Sequence, residues 1–309
     1  MPIITALLVV ALSVALSLQL FASVGISARL TGNQAQQAQQ QWALHAALGI
    51  ARARVTENQK ISGVDALDQP WARVSDNQSW NQFLGIHDTG ALQSMRISQR
   101  ITDEQAKLNL NTLVAAPMQQ GAPAYEETQA LAAYRRLLVQ LALDPALAGT
   151  LADAMLLQAQ SRIRGIACCA HGRMPIDTVQ NLQTVPGYTP RVLERLRPYV
   201  TVLPAVATVN VNTVGPQVLS AMIPSLSLAQ AEALISSRNQ NHFVSLGDFS
   251  TRLSAAGVTG QINNAAFGVR SSYFSVVTRV SDGQAERANL SLLRRISMVT
   301  IVESSRRIE

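Results

Sequence analysis

The side chains able to do chemistry in this chain are few and dispersed. Cys168 and Cys169 are its only thiols; they are adjacent, and Ala170 and His171 follow them. A closed zinc site needs four ligands at suitable spacing, and His45, His87 and His242 all lie far off in sequence. Two neighbouring cysteines make neither a disulfide framework nor a CxxC motif. In an oxidising compartment they form a strained vicinal disulfide or stay as buried thiols. Asp103 and Glu104 are neighbouring carboxylates. Adjacent strand residues point to opposite faces, so the two do not form an acid/base pair. In a turn they accept backbone N–H groups or pair with Lys107 or Arg100. There is no GxSxG or P-loop sequence, and Arg294-Arg295 and Arg306-Arg307 read as solvated pairs. The chain reads as non-enzymatic: no catalytic, cofactor-binding or metal-ligating residue is assigned.

Phosphate binding is the other chemistry to weigh. Leu182 to Thr189, followed by a helix over Arg191 to Leu196, has the form of a helix-hairpin-helix unit. So does Val209 to Ile223 with Pro224-Ser225 and a helix over Ala229 to Ser237. Where such units bind DNA, a glycine-rich hairpin presents backbone N–H groups and a helix N-terminus to a phosphate. The second hairpin, Ile223-Pro224-Ser225-Leu226-Ser227, has no glycine; its proline lacks an N–H, and Leu226 obstructs close approach. The first keeps Gly187 but sets Tyr188 beside it. Both read as packing modules.

The elements that would carry these segments begin with an apolar run. From Pro2 to Ile26 no residue is charged, a stretch long enough as a helix to cross a hydrocarbon core of about 30 Å. It lacks the basic start and short apolar core of a cleaved signal, and reads as a retained anchor over residues 2–26. Ala35, Ala38, Trp42, Ala46, Gly49 and Ala53 then recur at helical spacing. These small residues predict a face packed closely against a sheet or another helix, on a continuous helix over residues 1–58.

Ile61 to Gly90 reads as loop, and Met95, Ile97 and Ile101 alternate as a strand. Lys107 to Asn111 alternates too. Gly121 to Pro123 is a break, and Glu126 to Gln160 reads as helix with Leu131, Tyr134, Leu138 and Leu141 on one face. Near the end Phe274, Val276, Thr278 and Val280 alternate before Asp282-Gly283, a type I′ hairpin signal; Leu290 and Leu292 follow. Strands flank a helical block, which predicts an α+β fold. A long N-terminal helix packs on an antiparallel sheet, and an all-α helix-hairpin-helix (SAM-like) domain is inserted between the strands. The expected division is residues 1–58, 59–120 (sheet, first part), 121–265 (helical insertion) and 266–309 (C-terminal strands). With 48% hydrophobic and 14% charged residues the chain can bury a core. Its net charge of +6 suits an acidic partner, nucleic acid or an anionic membrane and selects none of them.

Several segments resemble one family. Asp103-Glu104-Gln105-Ala106-Lys107-Leu108-Asn109-Leu110-Asn111-Thr112-Leu113 resembles the signature of general secretion pathway protein K, the minor pseudopilin K of type II secretion systems. Arg197 to Pro204 and Val209-Asn210-Val211-Asn212-Thr213 resemble two further family segments in the expected order, and Ile4 to Leu12 resembles its membrane helix. The resemblance implies a pilin-like fold and a place at the tip of a periplasmic pseudopilus beside minor pseudopilins of the I and J types, and through them the major pseudopilin. It implies a single-pass inner-membrane anchor with the bulk of the chain in the periplasm, initiating or capping assembly for protein export.

Most pilin-like helices carry an acid near their start that neutralises a neighbour's amino terminus. Here the apolar run has none, as befits a subunit with nobody ahead of it. The family's precursors carry a basic leader ending in glycine; Met1-Pro2 stands in its place, and no cleavage residue is assigned. Family members often bind calcium through an acidic stretch, but Ala152 to Arg164 offers only Asp153, too few oxygens for that ion. The competing reading is a membrane-tethered DNA receptor of the ComEA type, resting on Val209 to Phe249.

Overall fold

The computed structural model describes residues 2–85, 95–115, 124–163, 176–258, 263–283 and 285–308. Cys168, Cys169, His171, His87 and the break at 121–123 lie outside them. Helix α1 (Pro2–Ile61) is continuous, on the order of 90 Å long. Its buried residues are Gln40, Ala43, Leu44, Ala47, Ala51, Val55 and Asn58. That face is the opposite of the small-residue stripe expected to pack, most of which is exposed. Ala35, Ala38, Trp42, Gly49 and Ala53 are exposed, so the core contact of α1 with the sheet is not made through them.

After α1 the chain was expected to loop. Instead Trp71 is buried in the core, β1 (Ser75–Ser79) forms an edge strand, and α2 (Trp80–Leu84) follows. The sequence Ser-Asp-Asn-Gln-Ser hides this strand, because an edge held by backbone hydrogen bonds needs no apolar alternation. α2 starts with a capping box between Ser79 and Gln82 and stops at Gly85 with φ +71°. β2 (Arg96–Asp103) buries Ile97, Gln99, Ile101 and Asp103 on one face, as its alternation predicts.

The helical block comes next. β3 (Leu108–Asn109) is only two residues long, because Leu110–Leu113 turns into a 3-10 helix. The predicted strand is thus a bridge, outside the main sheet. β4 (Val114–Ala115) pairs with β5 (Tyr125–Glu126). The helix expected over 126–160 is two, α3 (Thr128–Gln140) and α4 (Leu147–Ile163). They part where Ala142 takes φ +48° ahead of Asp144-Pro145. α5 (Pro190–Leu196), β6 (Val200–Thr201), β7 (Val209–Asn210), α6 (Pro216–Met222), α7 (Leu228–Gln240) and α8 (Leu246–Ala255) complete the block. β8 (Phe267–Gly268) pairs back on β7 in parallel, as β3 does on β6. Leu108, Leu110, Leu113 and Phe267 belong to the same core as Tyr134, Leu196 and Phe249. The helical core therefore extends beyond both limits expected for it, residues 121 and 265.

β9 (Tyr273–Ser281), β10 (Glu286–Ile296) and β11 (Val299–Ile308) finish the sheet, whose order is β1-β2-β9-β10-β11, antiparallel throughout. β2 and β9 lie side by side although the whole helical block separates them in sequence. The block is an insertion between neighbouring strands. Phe274, Val276, Thr278 and Val280 are all buried, while Leu290 and Leu292 lie half-buried on the other face of β10 from Leu293. The β9–β10 connection spans four residues, with Gly283 at φ +88°. Asp282 has no positive φ, so the turn is not type I′. Its carboxylate accepts the Ala285 N–H at 3.0 Å instead.

Two clusters bind α1 to the sheet. Ala43, Leu44 and Ala47 meet Trp80, Phe83, Met95, Ile97 and Val280; Ala51 and Val55 meet Trp71, Ile101, Phe274, Val276 and Leu293. Trp71 stands edge-on to Phe274 with centroids 5.2 Å apart, worth about 0.5–1.5 kcal/mol beyond burial.

Candidate functional site

Two features stand out: a rod that leaves the body, and a polar joint that fixes the helical block to the sheet. Ile3–Phe21 is the one helical segment among the described residues long and apolar enough to cross a membrane, and none of it is buried within the fold. Its Ser13 and Ser17 hydroxyls donate to the carbonyls of Val9 and Ser13, each at 2.8 Å. They are thereby satisfied inside the helix, as an apolar surround requires. The rod departs at the β9–β10 turn. There the Gln36 and Gln40 side-chain amides donate to Asp282 Oδ2 at 2.7 and 2.6 Å, and Gln40 Nε2 also reaches Ala285 O. From that clasp onward the Ala35–Ala53 stripe faces outward; a Cβ on Gly49 would meet nothing within 4 Å.

The joint is built around Asp65, Asp103, Asn210, Ser271 and Arg295. Arg295 and Asp65 form a buried bidentate ion pair, with Nη1 to Oδ1 at 3.0 Å and Nη2 on Oδ2. Arg295 was expected to be solvated. Its position on the buried face of β10 could not be read without the strand's register. Asp65 also accepts the Asn58 amide at 2.8 Å and the Ser271 N–H at 2.8 Å. Asp103 accepts the Gln105 N–H at 2.8 Å, the Thr213 hydroxyl at 2.6 Å, the Asn210 amide at 3.1 Å and the Ser271 hydroxyl. Burial pushes its carboxyl up to about 6, against the pull of the Ser271 and Thr213 hydroxyls and the Gln105 N–H, with the Asp65 charge adding to the rise. The turn expected at Asp103-Glu104 is there, and Glu104 pairs with Lys107 at 3.0 Å, but the Asp103 network was not foreseen.

The alternating Leu-Asn and Val-Asn segments complete the joint. Asn109 Oδ1 takes the Leu203 N–H at 3.0 Å. The Asn212 amide exchanges two hydrogen bonds with the Phe243 backbone, at 2.8 and 2.7 Å. Asn210 Nδ2 spans Asp65 O, Asp103 and Ser271. Each asparagine mimics a strand partner for a distant backbone. Their alternation with apolar residues was visible; their partners, 31 to 145 positions away, were not.

The hairpins are closed to phosphate. In the second, the Leu226 N–H bonds Ile223 O, and a capping box ties the Ser227 and Gln230 N–H groups to each other's side chains. Leu226 is buried, so it packs inward rather than obstructing from outside; it is these occupied donors that close the site. In the first, a Cβ on Gly187 would fall 2.6 Å from Leu147 Cδ2. Tyr188 is buried with its hydroxyl 2.9 Å from Tyr134 Oη and from Leu147 O. Of the described histidines, His45 is exposed with Nδ1 on Gln41 O at 2.9 Å, and His242 lies 3.2 Å from Asp68. Among the described residues no three His, Cys, Asp or Glu side chains converge.

Two family models, both described as type II secretion system protein K, match residues 106–205 and 209–270, together more than half of the chain. The chain belongs to the type II secretion system protein K family. A curated relative, type II secretion system protein K of Pseudomonas aeruginosa, is 28% identical over 322 aligned positions, covering 95% of this chain and 87% of the relative. Among solved structures, the crystal structure of the GspK-GspI-GspJ complex from the enterotoxigenic Escherichia coli type 2 secretion system matches with a TM-score of 0.68. The identity is 19%, over 90% of this chain and 99% of the matched one, which shows a shared fold. The matched regions span the helical block with its asparagine joint. In this protein K family member, then, the segments that carry the resemblance are the ones that lock the insertion onto the sheet.

Proposed function

We propose that this chain is a minor pseudopilin that initiates or caps a type II secretion pseudopilus. It is held in the inner membrane by residues 2–26 with its folded body in the periplasm. The observation that carries this reading is the direction of α1's two faces. One face is filled by the sheet, and the stripe of small residues opposite it is exposed except at Ala46, which suits close packing with partner helices as membrane-embedded helices do. The solved relative is named for a complex with GspI and GspJ, and subunits of those two types are the partners proposed here. The role is structural rather than catalytic, and export is driven by machinery elsewhere.

The DNA-receptor reading has no geometry in its favour, since the hairpin donors it needs bond within the protein. Co-purification of the full chain with I- and J-type minor pseudopilins from detergent tests the proposal. A stable complex is expected, and failure of the three chains to associate contradicts it.

A further inference from the structure

The sheet has two edges, and they are built differently. β1 is five residues long, its pairing with β2 slips between Ser75 and Gln78, Asn77 takes φ +43°, and α2 follows at once. These are devices that blunt an edge against strand addition. β11 has ten residues, no proline and no lysine, and no strand on its outer side among the described residues. Its single irregularity is at Glu303, where Leu292 pairs with Ser304 and Leu293 with Val302. α1 reaches it at Thr300, whose carbonyl accepts from Arg52 Nε at 2.9 Å. From Ile301 to Arg307 every residue is exposed.

The exposed side chains are sorted along the strand. Met298, Val299, Ile301 and Val302 lie at the end near α1. Arg306 and Arg307 lie at the other, in no ion pair among the described residues. A shallow cleft lined by Gly49, Ala53, Met298 and Val299 joins this edge to the bare stripe of α1.

We propose that β11 is a strand-addition site. An extended segment of a neighbouring subunit pairs with its outer edge, apolar where it passes Met298 to Val302 and acidic where it passes Arg306 and Arg307. In this mode backbone hydrogen bonds supply affinity while alternate side chains select the partner. A second copy of this chain is the poorer occupant. Antiparallel self-pairing sets each arginine pair against the apolar end of the other strand, leaving Arg306 unanswered and only the diagonal Glu303 within reach of Arg307.

The inference rests on the assembly reading above, and the test separates the two. Amide hydrogen exchange of the full chain is followed alone and in detergent complex with I- and J-type minor pseudopilins. The amides among residues 301–308 that face away from β10 are expected to slow at least tenfold in the complex while those of β1 do not change. With Arg306→Glu and Arg307→Glu together, that protection is expected to disappear, with thermal unfolding of the free chain unaltered. A complex that forms with unchanged β11 exchange overturns strand addition and leaves the proposed function standing. Protection that survives the charge reversal overturns the acidic occupant. Concentration-dependent protection of the chain alone assigns the edge to a second copy and overturns the proposal, and absence of any complex defeats both readings.

Discussion

At the joint Asp65 is paired with the Arg295 guanidinium, while Asp103 is held, among the described residues, by hydroxyl and N–H donors rather than a cation, and each carboxylate has a measurable consequence. Removing one partner of a buried ion pair strands the other charge, at about 3–5 kcal/mol. Arg295→Met is accordingly expected to lower unfolding stability in denaturant by roughly that amount, whereas Arg306→Met, on an exposed residue, is expected to change it by less than about 0.5 kcal/mol. For Asp103 the carboxyl sits near 6 in the folded chain against about 3.9 unfolded. Between those values the folded state holds a proton that the unfolded state has lost. Its contribution to stability therefore falls as pH rises from about 4 to 6, by roughly 3 kcal/mol in total, and levels off above. Asp103→Asn is expected to flatten that slope in denaturation measured from pH 4 to 7. An unchanged slope would place the titration elsewhere. Among the described residues no group of three His, Cys, Asp or Glu gathers around Asp153, and calcium needs several carboxylate oxygens, so calcium or chelator is expected to leave the melting temperature unmoved. At this scale the sequence said least. Asp103 was legible as a turn residue and Arg295 as a charge, but their partners, Ser271 for the one and Asp65 for the other, are set by strand register and lie 168 and 230 positions away.

Among the elements, α1 and β2 could be read most directly, because apolar run and period-2 alternation are local signals. β1 could not, since its residues are polar and its pairing rests on backbone bonds and on the Ser98 hydroxyl, which meets Asn77 and Asp76. α1 also shows how periodicity can be right about a face and silent about its direction. The Ala35–Ala53 stripe is real, yet the sheet took the face around Ala43, Ala47 and Ala51. That reversal yields a paired prediction. Gly49→Leu is expected to stabilise the free chain by roughly 0.5–1 kcal/mol, since glycine is a poor residue inside a helix and an added Cβ meets nothing within 4 Å, while weakening partner association at least tenfold. Ala47→Leu, at a position with no exposure, is expected to overpack the helix–sheet contact and cost about 1–3 kcal/mol. Equilibrium unfolding and co-purification of both variants check the pair.

For the molecule as a whole, a rod carries a five-stranded sheet in which β2 and β9 are neighbours around an inserted helical block. The order of strands, helices and strands along the chain made this architecture legible. The limits of the block were not, because Leu108 to Leu113 and Phe267 look like sheet residues yet fill the helical core. Deleting residues 2–26 is expected to release the protein from membranes with its circular dichroism otherwise that of a folded α+β body; an unfolded product would show that the rod is needed for folding.

Docking of α1 with sister helices is tested most directly by site-specific disulfide crosslinking in the complex with I- and J-type subunits, after Cys168→Ser and Cys169→Ser. Ala38→Cys, Gly49→Cys and Ala53→Cys are expected to crosslink to cysteines along the partners' helices, and Ala43→Cys and Ala47→Cys are not. Crosslinks that ignore this division, or none from the stripe in a complex that forms, would contradict the account.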